Sequence, residues 1–233
     1  VVGTLAFEDL WPSQGDYDMN DVVVGYSTTF TVDKDNRIVA IRDVVTPLHS
    51  GGKLRSAFGY QLDIPVTAVK GVKIENGSST AGLEKNQDKA VVILFDDIEQ
   101  AVARGPVSVE IELDGSLSMD KVTRKSLYNP FICVSDKGFV PGAVRKEIHL
   151  TNYPPTSLAD PYPFGRNDDK SSLDKAGNPI GPYYYATSEL YPFAIDLPVT
   201  DYRIPDEMVK IDVFYPDFAG WVKSRGEKHK EWY

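Results

Sequence analysis

The sequence predicts an all-β fold, a β-sandwich of jelly-roll-like connectivity with a few short helices, on three observations. Short runs of alternating apolar residues recur through the first two-thirds of the chain. Turn dipeptides such as Asn76-Gly77 and Asp114-Gly115 separate them. Helical periodicity is confined to a few short segments, and many short strands with frequent turns are the pattern of a sandwich.

The first strand with a clear period of two runs from Val22 to Val32. Val22, Val24, Tyr26, Thr28, Phe30 and Val32 share one face, with Val23, Gly25, Ser27, Thr29 and Thr31 on the other. Asp33-Lys34-Asp35-Asn36 then reads as a turn into a hairpin partner over Arg37 to Val45. Phe58 to Ile64, Ala68 to Glu75 and Ala90 to Phe95 are further strands. Pro106 to Leu113 alternates Val107, Val109, Ile111 and Leu113 against Ser108, Glu110 and Glu112. Val144 to Leu150 and Phe193 to Leu197 complete the set. A short helix is expected over Asp97 to Arg104, started by Asp96 or Asp97 and stopped by Gly105. Two more, Asp206 to Tyr215 and Asp217 to Ser224, are separated by Pro216.

Composition bounds the rest. The 233 residues carry no Ser/Gly-rich linker and no internal repeat, so a single domain over residues 1–233 is expected. A hydrophobic content of 42% is enough for a core. The net charge of −9 argues against nucleic acid or an anionic membrane as the main partner. Cys133 is the one cysteine, which excludes an intramolecular disulfide and a Cys-based zinc cluster. No stretch resembles a signal peptide or a membrane span. The opening Val1-Val2-Gly3-Thr4, without Met, is read as that of a mature or trimmed fragment from which a targeting segment has been removed.

The most chemical segment lies before the first regular strand. Glu8 to Asp21 holds five carboxylates and two carboxamides in fourteen residues, and no Lys or Arg occurs before Lys34. Carboxylates crowded in this way repel unless a positive charge sits among them, and a hard cation with oxygen ligands, calcium above all, resolves the conflict. Asp16-Tyr17-Asp18-Met19-Asn20 repeats the Asp-x-Asp-x-Asn opening of a calcium loop. An EF-hand is excluded, because Asp21 stands where its turn needs Gly and Ser27 where its bidentate Glu should be. Extended residues i and i+2 stand about 6.6 Å apart, too far to converge on one ion, so the segment is expected to curl, with Gly15 permitting the bend. Asp16, Asp18 and Asn20 are the expected main ligands, with Glu8, Asp9 and Asp21 completing or orienting the shell. The alternative for the same acids is turn capping, since Asp and Asn side chains readily bond to nearby backbone N–H groups.

Asn152 to Phe193 differs from the rest. Seven of the sixteen prolines fall there, along with Tyr153, Tyr162, Phe164 and the run Tyr183-Tyr184-Tyr185. A loop of this length is often functional. Asp160, Asp168, Asp169 and Asp174 could supply metal ligands, or the aromatics could simply cover a sandwich edge. Catalytic motifs are mostly absent, with no Gly-x-Ser-x-Gly, no phosphate-cradling Gly-rich loop and no His-Glu-x-x-His. Cys133 and His149 could form a nucleophile pair, but a cysteine within Phe131-Ile132-Cys133-Val134 reads as core.

Phe7-Glu8-Asp9-Leu10-Trp11-Pro12, followed by Gly15-Asp16-Tyr17-Asp18-Met19-Asn20-Asp21-Val22-Val23, resembles the opening of the LruC-type domain, a domain of unknown function in exported proteins of Bacteroidetes, spirochaetes and other bacteria. Phe58-Gly59-Tyr60-Gln61-Leu62, Asn129-Pro130-Phe131, Glu147-Ile148-His149-Leu150, Tyr191-Pro192-Phe193-Ala194-Ile195, Tyr215-Pro216-Asp217-Phe218 and the terminal Trp232-Tyr233 are similar too, so the resemblance spans nearly the whole chain. Met19 departs from it where Phe is common. The resemblance implies an exported, cell-surface-associated protein that binds calcium through Glu8, Asp9, Asp16, Asp18, Asn20 and Asp21, and it carries no enzymatic activity with it.

The expected function is therefore a calcium-binding, exported sandwich with a structural or adhesive role toward a surface glycan or protein, and not an enzyme. A carbohydrate-binding module is the alternative, with Tyr183, Tyr184, Tyr185, Trp11 and Trp221 as stacking faces. A glycan-active hydrolase is the more distant one, since 34 acids offer too many carboxylate pairs to single one out.

Overall fold

Alternating apolar residues become strand wherever a partner strand is available to take their backbone bonds. The computed structural model describes residues 1–233. Six strands form one antiparallel sheet: β1 (Val2–Phe7), β2 (Val22–Val32), β3 (Ile38–Ser50), β5 (Val69–Glu75), β8 (Val107–Leu113) and β11 (Ala194–Leu197). Five form the other: β4 (Arg55–Pro65), β6 (Gly82–Leu83), β7 (Lys89–Phe95), β9 (Tyr128–Ser135) and β10 (Glu147–His149). The orders are β11-β1-β2-β3-β8-β5 and β10-β9-β4-β7-β6. β1, β2 and β3 make a meander, after which the chain passes repeatedly from sheet to sheet. The result is a mainly β sandwich with few short helices, as the alternation predicts.

The period of two sorts residues between cores. On β2, Val22 and Val24 enter the main core of 34 buried residues between the sheets, while Val23 enters a second cluster of 11 on the outer face. Val107, Val109, Ile111 and Leu113 of β8 all point inward. The second sheet is buried on both faces. Val92 and Leu94 join the main core, whereas Val91, Ile93, Phe131 and Cys133 pack beneath an outer loop layer. This explains the unbroken apolar runs Ala90–Phe95 in β7 and Phe131–Val134 in β9.

The expected helix α1 (Ile98–Arg104) forms with Asp97 as its N-cap, accepting from the Glu99 and Gln100 backbone N–H groups. Other expectations need correction. Val144 to Leu150 reduces to Glu147–His149, and Asp206 to Tyr215 reduces to α3 (Ile211–Phe214), with α4 (Phe218–Lys223) after Pro216. The sequence reading passed over β1, β6, β9 and α2 (Arg124–Leu127). Pro130 disguised β9, but it lies just outside the Phe131–Cys133 stretch that β10 pairs, where an open edge tolerates a missing N–H. No helix is long and apolar enough to cross a membrane.

The second cluster positions the acidic segment. Ile211, Phe218, Val222 and Trp232 from the C-terminal region cover Ala6, Val23, Ile195 and Leu197 of the first sheet, with Tyr17, Met19 and Tyr191 between them.

Candidate metal centre

The segment between β1 and β2 is coiled by its backbone. Gly15, Tyr17 and Met19 have φ of 62°, 55° and 55°, so every second residue is left-handed. For Tyr and Met this conformation is costly and must be held from outside. Tertiary packing holds it. Tyr17 lies 5.6 Å from the Tyr191 ring and donates its hydroxyl hydrogen bond to the Pro192 carbonyl at 2.6 Å. Its own carbonyl accepts from Ile211 N at 2.8 Å, and Met19 is fully buried. Tyr17 and Met19 are thus drawn into the core.

The coiling brings one carboxylate oxygen each from Glu8, Asp16 and Asp18 within 4.8 Å of one another. Glu8 and Asp18 are buried and Asp16 is half-buried. Glu8 Oε1 accepts from Met19 N at 2.5 Å, while Oε2 is buried with no hydrogen-bond partner. Asp18 accepts from Asn20 N at 3.3 Å and Met208 N at 2.9 Å. Burial pushes the Glu8 carboxyl well above the usual range, and the charges of Asp21, Asp18 and Asp16 push the same way. Asp18 is pushed up to about 6, mainly by burial and then by Asp16 and Glu207, against the relief of the Met208 N–H.

The other expected ligands sit differently. Asp9 N donates to Asp21 Oδ2 at 2.8 Å. Asp21 is pushed up to about 8 by burial and by Asp9, and Asp9 is raised by burial against the pull of Lys146. Lys146 Nζ donates to the Asp9 carbonyl at 3.2 Å, so this carboxylate pair already has a cation beside it. A Cβ at Gly52 would collide with Asp9 Oδ2, so the strand connection admits only glycine there without a shift. Asn20 Nδ2 donates to the Pro205 carbonyl at 3.1 Å, and its buried Oδ1 has no partner. Among the carboxylates, Glu8 joins Asp16 and Asp18 in the tight cluster.

The loop acids at 160–174 serve turns. Asp169 accepts from Trp11 Nε1 at 3.0 Å and from Gly165 N at 2.7 Å. Asp160, Asp168 and Asp174 each accept from backbone N–H groups. Trp11 is fully buried, 4.8 Å from the Phe164 ring and 4.9 Å from that of Tyr185. Trp11 and Tyr185 are therefore unavailable as stacking faces, and the loop covers the sandwich. Tyr183 remains 47% exposed and shares a cleft with Trp221.

Sequence reasoning missed a buried ionic network on the outer face of the second sheet. Arg145 contacts Glu84 at 2.6 Å and Glu147 at 2.7 Å, and His149 Nε2 lies 2.8 Å from Glu147 Oε2. His149 Nδ1 lies 2.6 Å from Asn129 Oδ1. With both ring nitrogens engaged, and burial pushing the Cys133 thiol well up, Cys133 and His149 form no nucleophile pair. Only the Glu147-x-His149 alternation hinted at this network.

A Bacteroides ovatus protein described as a candidate lipoprotein has a crystal structure similar to this one, with a TM-score of 0.69 and 19% identity over 100% of this chain and 72% of that one. The two share a fold. A search of curated proteins finds no match. Residues 36–233 match a family described as a domain of unknown function, DUF4842, and neither comparison indicates an enzymatic family. The acidic segment precedes the matched residues, although Gly52, Lys146, Pro205 and Met208, which pack against it, lie within them. The LruC-type resemblance goes beyond this match; on the match itself, the chain belongs to the DUF4842 family.

Proposed function

We propose that this chain is a single calcium-binding sandwich domain of LruC type, exported to the cell surface, where it has a structural or adhesive role. The observation that carries the calcium reading is Glu8. A carboxylate that is fully buried, has one oxygen without any partner and faces two further carboxylates is costly to ionise without a cation. Glu8, Asp16 and Asp18 supply hard oxygen donors, the class that suits calcium. The absence of Cys and His from the cluster disfavours zinc. Lys146 lies beside Asp9 and offsets part of the charge of the Asp9–Asp21 pair, whereas no cationic side chain contacts the triad, which favours the triad as the position of the ion, with the partner-free Asp9 Oδ2 next to it. Likeness to a candidate lipoprotein supports the surface location.

A bound ion would tie β1 to β2 and the C-terminal segment through Met208 N on Asp18. Thermal melts in EDTA, in millimolar calcium and in magnesium, with metal analysis of the purified protein, test this. At about 100 times Kd, calcium adds roughly 2.7 kcal/mol to the folded state, and the melting temperature rises accordingly. Asp18→Ala should abolish that rise. An unchanged melting temperature in a protein shown to be metal-free, or a full calcium response in Asp18→Ala, refutes the assignment.

A further inference from the structure

A cleft between the Tyr183–Pro192 loop and α4 encloses about 270 Å³ and involves no residue of the acidic loop. Leu190 and Val222 give it an apolar floor, while Tyr183 and Trp221 offer aromatic rings. Asn152 and Arg225 stand at its edge. The guanidinium of Arg225 takes part in no ion pair, and the Asn152 amide, Tyr183 hydroxyl and Trp221 indole N–H are likewise left free by the rest of the chain.

The backbone under this cleft is unusual. The turn that ends α4 is closed by Gly226 N donating to the Trp221 carbonyl and Arg225 N to the Val222 carbonyl, both at 2.9 Å. This double closure places its penultimate residue in the left-handed region, where glycine is favoured for want of a Cβ. Here that residue is Arg225, at φ 55°. Leu190, at φ 69°, and Asn152, at φ 67°, are left-handed too. Three of the chain's twelve non-glycine left-handed residues thus line this one cleft, and Leu190 and Arg225 are of types that rarely adopt that conformation.

Charge narrows the ligand. In a chain of net charge −9, the stretch after Trp221 carries Lys223, Arg225, Lys228 and Lys230 against Glu227 and Glu231. Of these only Arg225 lines the cleft, where it is the one charged residue, so an anion is favoured there. A single arginine on the cavity suits one carboxylate, which guanidinium binds in a planar fork. Aromatic rings with free polar heads suit a ring that has an apolar face and hydroxyl edges. We infer that the cleft binds a carboxylated sugar, a uronic or sialic acid residue of a glycan, with its ring against Trp221 and Tyr183 and its carboxylate on Arg225.

Tryptophan fluorescence and calorimetric titrations with the methyl glycosides of glucuronic, galacturonic and N-acetylneuraminic acid test this, with methyl glucoside as the neutral control. At least one carboxylated sugar should saturate the protein, and the neutral sugar should bind about tenfold more weakly or not at all. Arg225→Gln should weaken binding about tenfold. Arg225→Gly should lose binding and raise the melting temperature, which separates loss of ligand from loss of fold. The proposal is overturned if no carboxylated sugar binds at millimolar concentration, if the neutral sugar binds equally, or if Arg225→Gln binds unchanged.

Discussion

Glu8 concentrates the conflict on which the functional reading rests. Its side chain is fully buried, one oxygen is held by Met19 N, the other has no donor, and the carboxylate lies in a cluster with those of Asp16 and Asp18. Glu8→Gln is nearly isosteric. Its amide oxygen can keep the bond from Met19, and its NH₂ would face the two remaining carboxylates as a donor. The metal-free variant should therefore melt higher than the metal-free parent, by about 1–3 kcal/mol of relieved desolvation. Its calcium response should nonetheless be lost. Differential scanning calorimetry with and without calcium reads both changes, and a variant destabilised in EDTA would show that Glu8 is satisfied in the metal-free protein.

At the scale of elements, local chemistry and tertiary packing divide the work. Helix α1 is decided locally, with Asp97 accepting from Glu99 N at 3.0 Å and Gly105 ending it at φ 92°. Asp97→Ala should cost about 1 kcal/mol, measured by urea unfolding. An unchanged midpoint would mean that packing of Ile98 and Ala101 alone holds the helix. The acidic loop is the opposite case. Its alternating carboxylates were legible in the sequence, but the left-handed Tyr17 is held by Tyr191, Pro192 and Ile211 from the far end of the chain, and Met19 is buried in the same cluster. Local reasoning identified Asp16, Asp18 and Glu8 as acids of one segment but could not show that their three carboxylates converge. Which donors face inward depends on where β1 ends and how the C-terminal region closes over it.

At the scale of the whole molecule, two groups of carboxylates act on stability in opposite directions. Burial raises Glu8, Asp18 and Asp21, so the folded, metal-free protein binds their protons more tightly than the unfolded chain does. Their contribution is complete below the ordinary carboxylate range of about 4 and is lost as the pH rises through about 6 for Asp18 and about 8 for Asp21. Burial alone would raise Glu147 as well, but His149, Arg145 and Thr156 outweigh it and hold that carboxyl low. Its contribution is present above about 4 and lost as the pH falls further. The metal-free protein should thus be most stable in mildly acidic solution, with a melting temperature that declines toward pH 8. Calcium replaces the protons, so its stabilising increment should grow over that same interval. Melts across pH in EDTA and in calcium check both trends. A metal-free melting temperature that is level or rising from pH 5 to pH 8 would contradict them.

The sequence by itself determined the sandwich, because a period of two needs only the identity of successive side chains. Val22 to Val32 and Pro106 to Leu113 are therefore readable without knowing their neighbours. It also determined that an acidic segment precedes β2, since charge density is a local property. The tertiary structure decided whatever depends on partners distant in the chain. It made β9 a strand despite Pro130, by setting it between β4 and β10. It gathered Glu84, Asn129, Arg145, Glu147 and His149 into one buried network. It removed Trp11 and Tyr185 from the surface while leaving Tyr183 and Trp221 on a common cleft. The difference is physical, because alternation acts between neighbours along the chain whereas burial, desolvation and convergence of ligands act between segments that only folding brings together.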